Sequence, residues 1–176
     1  MKGKLVFGLS LTVLLTGCAG TVKTVTINES RLVGEQRVSI MRCPLRLAEV
    51  VDARAAGNEA GGLGWNQVVL DDAPRMVRDQ LLKAGLLPAD AAQGRNVVVR
   101  LRHMYMSQNN MTKNPVVVYE VVLDGGEPFI VRAQPTKMNW NSSGNEAISA
   151  FSSALHQAND QLLTALNLRC SSAHGS

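Results

Sequence analysis

The chain predicts an α+β fold, a two-layer sandwich in which about four mostly antiparallel strands carry two helices on one face. Three observations lead there. Residues 96–106 alternate with a period of two, Val97, Val99, Leu101, His103 and Tyr105 on one face, Val98, Arg100, Arg102, Met104 and Met106 on the other. Residues 116–123 repeat that alternation and run into Asp124-Gly125-Gly126-Glu127, a tight hairpin with a return strand from Phe129 to Ala133. Ile148, Phe151, Leu155, Leu162 and Leu166 then mark one stripe of a long helix. The order strand, helix, three-strand meander, helix lets both helices cover one sheet face.

The first element is not part of that body. Lys2 and Lys4 precede an apolar run, Leu5–Leu15, followed by Thr16-Gly17-Cys18. A basic start, a short apolar core and small residues before a cut make a secretory signal peptide over residues 1–17. The run is too short for a bilayer span, which needs roughly 20 residues. Cysteine after a Leu-x-Gly step resembles the bacterial lipobox, which implies cleavage before Cys18 and acylation of its thiol. Two or more acyl chains anchor a protein stably. Ala19, rather than Asp, follows the cysteine; in lipoproteins of this kind that implies the outer membrane, with the body on its periplasmic face.

Residues 18–36 are polar with scattered Val and Ile and read as a tether with one short strand near Thr24–Ile27. Fully extended, such a stretch reaches about 60 Å. A single domain spans 37–170. Val38–Val51 is a strand or strand pair broken at Pro44. Residues 55–64, with four glycines, are a loop leading to Trp65. Asp71-Asp72-Ala73-Pro74 starts a helix that stops at Gly85, an acid at the N-cap and proline in the first turn. Residues 107–114 are a polar, Asn-rich loop. Ser143-Gly144-Asn145-Glu146 is a capping box opening the last helix, which runs to about Asn167. Residues 171–176 form a tail.

Composition narrows the function. The formal charge of +4 falls to about +2 once Lys2 and Lys4 leave with the signal, so no basic patch suggests nucleic acid. Aromatic residues make up 4% of the chain, too few for stacking platforms. With Cys18 acylated, Cys43 and Cys170 remain. An even pair in an oxidising compartment reads as a disulfide, worth about 4–5 kcal/mol in the chain-entropy model. Two buried thiols are the alternative; a metal site lacks neighbouring His or Cys. No nucleophile elbow, zinc helix or phosphate loop is present. Gly61-Gly62-Leu63-Gly64 neither follows a strand directly nor opens a helix cleanly. His103, on the apolar strand face, reads as a core histidine; His156 is mid-helix and His174 in the tail. Asp71 and Asp72 read as capping acids before they read as a metal pair. Arg100, Arg102 and Arg132, if they share a sheet face, are the candidate binding residues for an anionic glycan or lipid, against the alternative of a solvated face. No catalytic residue, metal or cofactor is expected.

The lipobox, Val50-Val51-Asp52-Ala53-Arg54, the Gly62-Leu63-Gly64 approach, the helix closing on Leu81-Leu82-Lys83-Ala84-Gly85, the Val97–Tyr105 strand and the long last helix together resemble small Gram-negative outer-membrane lipoproteins of the YajG type. The layout is also similar to accessory lipoproteins of lipopolysaccharide and exopolysaccharide export, of lipid transport, and to lipoprotein activators of peptidoglycan synthases. The resemblance implies a non-enzymatic accessory protein of an envelope complex, with an envelope protein as partner and homo-oligomers within reach. A binding module for a lipid, glycan or peptidoglycan fragment is the alternative. A hydrolase without a recognisable motif would need one of the histidines beside a serine or carboxylate in an open pocket.

Overall fold

The computed structural model describes residues 21–109 and 111–172. The expected signal peptide over residues 1–17, the expected lipidation site Cys18, and residues 173–176 of the tail with His174 lie outside them. The strands are β1 (Lys23–Ile27), β2 (Leu45–Asp52), β3 (Glu59–Leu63), β4 (Asn66–Leu70), β5 (Arg95–Gln108), β6 (Thr112–Leu123), β7 (Phe129–Ala133) and β8 (Lys137–Met138). The helices are α1 (Ala73–Lys83) and α2 (Gly144–Ser172).

The expectation of about four mostly antiparallel strands is overturned. The sheet has eight strands and is mixed, in the order β1-β4-β3-β5-β6-β7, with β2 on β5 and β8 on β6. β1 runs parallel to β4, and β2 and β3 run parallel to β5; the β3–β4, β5–β6, β6–β7 and β6–β8 pairs are antiparallel. Periodicity marks which residues alternate, not which strand they pair with. Parallel pairing needs a long crossover, and here β3, β4 and α1 lie between β2 and β5.

The glycine-rich stretch read as a loop contains β3. Gly61 has φ +79, and a Cβ there would lie 2.1 Å from the Met106 carbonyl oxygen and 2.9 Å from the Tyr105 ring. Glycine is therefore what lets β3 bridge to β5 at Met106.

α1 forms as its sequence suggests. Asp72 accepts from the Arg75 amide at 3.1 Å, Pro74 occupies the first turn, and Gly85, at φ +118, follows the last turn. α1 packs on β2, and α2 lies over β6 and β7. One core joins them: Met76, Val77 and Leu81 from α1, Phe151, Leu155 and Leu162 from α2, and Val97, Val99, Leu101, Val117, Tyr119 and Val121 from the sheet. Ser143 caps α2 by accepting from the Glu146 amide at 3.3 Å. The Glu146 carboxylate does not close a reciprocal box; it accepts from the amides of Trp140 and Asn141, each at 3.1 Å.

Residues 21–36, read as a tether, are tied to the body. β1 is a sheet strand, and the chain beyond it runs parallel to α2. The Val33 amide donates to Ser152 Oγ (2.9 Å), Gln36 meets Asn159 and Asp160, and the Arg42 amide donates to Asn167 Oδ1 (2.8 Å). The segment ends at the disulfide between Cys43 and Cys170, whose Cα atoms are 5.8 Å apart. Among the described residues no helix is long and apolar enough to cross a membrane.

Candidate functional site on the uncovered sheet face

The helices cover one face of the sheet and leave the other to solvent. Strand alternation brings Val98, Arg100 and Arg102 of β5, Val118, Glu120 and Val122 of β6, and Ile130 and Arg132 of β7 onto that open face. The three arginines proposed from the sequence therefore share a face. Their charges are partly answered there. Glu120 accepts from Arg100 Nη1 at 2.8 Å and from Arg102 Nε at 2.9 Å, and these hydrogen bonds hold its carboxyl below the usual carboxylate range. Arg132 donates to Gln134 Oε1 at 2.7 Å.

A β-bulge reshapes one end of this face. The β5–β6 register slips between Leu101 and His103. One extra residue inverts the alternation beyond it: Arg102 and His103 both point out, and Met104 and Met106 turn into the core. His103 is thus not the core histidine that unbroken alternation implies. It stands exposed beside Tyr105, ring centroids 5.7 Å apart.

The bulge opens a cleft of about 480 Å³, lined by Arg54, Arg102, His103, Tyr105, Arg132 and Gln134 among others. Arg54 follows β2, and its side chain is only 2% exposed. Asp52 accepts from Arg54 Nε at 2.8 Å and from Nη2 at 2.7 Å, which lowers the Asp52 pKa below its ordinary value. Nη1 of Arg54 is buried and has no partner. A buried guanidinium N–H without an acceptor is uncommon because its desolvation goes uncompensated. Arg54, Arg102 and Arg132 around one cleft, which Glu59 also lines, suit a carboxylate or phosphate. Among the described residues no hydrogen bond joins His103 to a serine or carboxylate; the three guanidiniums and the unpartnered Nη1 give the cleft the parts of a binding site.

The other singled-out residues lie elsewhere. His156, on α2, sits half-buried near Gly34, and burial lowers its pKa against the pull of Asp160. Asp72 caps α1, and the Asp71 amide donates to the Ile27 carbonyl at 2.9 Å. No group of three or more metal-ligating side chains is found among the described residues. Arg54 and the bulge were missed from sequence. The only local signal is the Asp52-x-Arg54 spacing, an acid and a base close enough in sequence to pair at the end of β2.

No protein-family model matches the chain, and no curated protein does either. Comparison with solved structures gives two similarities. Protein XCC0632 from Xanthomonas campestris, of the DUF330 family, is similar with a TM-score of 0.58 at 10% identity, over 88% of this chain and 99% of that one. The rare lipoprotein B from Shewanella oneidensis aligns with a TM-score of 0.43 at 14% identity, over 72% of this chain and 98% of that one.

Proposed function

We propose that this chain is a lipid-anchored accessory subunit of a cell-envelope complex, held at the periplasmic face of the outer membrane through acyl chains on Cys18 and acting by binding a protein partner, without catalysis. Its kinship, on the sequence motifs, is with small envelope lipoproteins of the YajG type. The observation that carries the reading is the open sheet face. A sheet of this size leaves one face without a covering layer, with apolar Ile130 and Val118 set among Arg100, Arg102 and Arg132, and that face ends at β7, whose outer edge pairs with no strand among the described residues. An apolar-and-basic face bordered by an open edge is a docking surface for another chain.

A photo-crosslinker at Ile130, in the full chain expressed with its own signal, tests this. One stoichiometric envelope protein in the adduct is the expected result. Recovery without a protein adduct but with a co-purified anionic lipid or glycan would reverse the order and favour the binding-module reading. The unpartnered Nη1 of Arg54 beside the cleft supports that second reading. Globomycin is expected to leave the signal uncleaved and the protein unprocessed; normal processing in its presence would remove the anchor.

A further inference from the structure

We infer that the end of the molecule bearing Trp65 and Trp140 is a membrane-contact tip that seats in the lipid headgroup region beside the anchor. The inference rests on the lipidation reading of Cys18. The chain has two tryptophans, and both are left in solvent, Trp65 at 70% and Trp140 at 78% exposure. They sit on different loops. Trp65 is in the β3–β4 turn; Trp140 is in the segment between β8 and α2. Exposed Met111, in the β5–β6 loop, and Met138 of β8 join them.

Hydrogen bonds bind these loops into one surface. Asn66 Nδ2 donates to the Ser142 carbonyl, and the Gly64 amide donates to Gln108 Oε1 at 2.7 Å. The Asn139 amide donates to the Met111 carbonyl at 2.8 Å. Trp140 is itself held, because its amide and that of Asn141 donate to Glu146. The tip is thus a fixed platform carrying four large apolar side chains. Solvent exposure of that many on a soluble surface marks a contact with something else.

The position of the chain's N-terminal end identifies the contact. The Lys23 amide donates to the Trp65 carbonyl at 2.9 Å, and exposed Val22 precedes it. Two residues separate Thr21 from Cys18, and the three steps between them span at most about 11 Å. An acylated Cys18 therefore brings this end, and no other, to the bilayer. Charge agrees. Residues 63–66, 107–112 and 134–145 contain no Asp or Glu, and Lys23 and Lys137 are exposed. The nearby Glu146 carboxylate is taken up by Lys113 at 2.7 Å. Tryptophan with methionine, lysine and uncharged polar residues is the composition of an interfacial surface against anionic lipid.

Because both tryptophans lie in the tip, intrinsic fluorescence reads it directly. The full lipidated chain is reconstituted with vesicles of phosphatidylethanolamine and phosphatidylglycerol, with and without bromine on the acyl chains, and floated. The expected result is co-flotation with a blue-shifted emission that brominated lipid quenches. Met111→Asp with Met138→Asp is expected to weaken the quenching while flotation persists. Flotation with solvent-like, unquenched emission overturns the tip and leaves the anchor standing. Absence of both flotation and quenching overturns the anchor and the tip together.

Discussion

Single residues hold several local structures that no neighbour could replace. At Gly61 a left-handed φ coincides with a carbonyl 2.1 Å from where a Cβ would lie. Gly61→Ala is expected to lower stability by about 2 kcal/mol or more, seen as a shifted denaturant midpoint, because strain and overpacking add. Glu146 is a second case. Burial raises its pKa, but the hydrogen bonds from Lys113 and from the Asn141 and Trp140 amides outweigh it and hold the group at about 2, below the ordinary 4.5. The folded state thus binds its proton less readily than the unfolded state. Its contribution is complete above about pH 4.5 and is lost as pH falls through about 2. The melting temperature is expected to decline over that window, and Glu146→Gln to flatten the decline. Neither feature is legible in the sequence beyond a glycine and a capping motif. A close approach between β3 and β5 exists only once the sheet is assembled.

At the scale of elements, β6, α2 and the segment of residues 33–43 meet in one polar chain that runs from the buried core to half-buried Gln36. Tyr119 Oη donates to Asn159 Oδ1 at 3.0 Å, and Asn159 Nδ2 donates to Gln36 Oε1 at 2.9 Å. Tyr119 is fully buried, and burial raises its pKa above its ordinary value. Tyr119→Phe leaves Asn159 Oδ1 without its donor and is expected to cost about 1–2 kcal/mol in chemical denaturation. Amides of residues 33–43 should exchange faster in that variant. Both helices, the β5–β6–β7 meander and the turn at Asp124-Gly125 are readable from period and caps. β4 and β3 were not, since their strands are short and β3 carries two glycines that erase alternation. Alternation also misplaced His103 and Tyr105, because the bulge at Arg102 shifts the pattern without any sign in residue type.

For the whole molecule, the Cys43–Cys170 disulfide closes the segment along α2 onto the helix's last turns and spans 127 residues. Reduction, or Cys43→Ser with Cys170→Ser, is expected to destabilise by about 4 kcal/mol on the loop-entropy model, read as a lower unfolding midpoint at constant slope. The same closure keeps residues 33–43 on α2, while β1 keeps the chain's start in the sheet. Together they convert a reach of about 60 Å in a free tether into a domain held close to Cys18.

The chain's own residues settled the alternation of β6 and β7 and of β5 as far as Leu101, together with the capping residues of the two helices, because these depend on local spacing and short-range sterics. Strand partners, the mixed sheet, the cleft around Arg54 and the gathering of Trp65 and Trp140 at one end were decided by the tertiary structure. They depend on contacts between residues far apart in sequence, which no local pattern encodes until the core has closed.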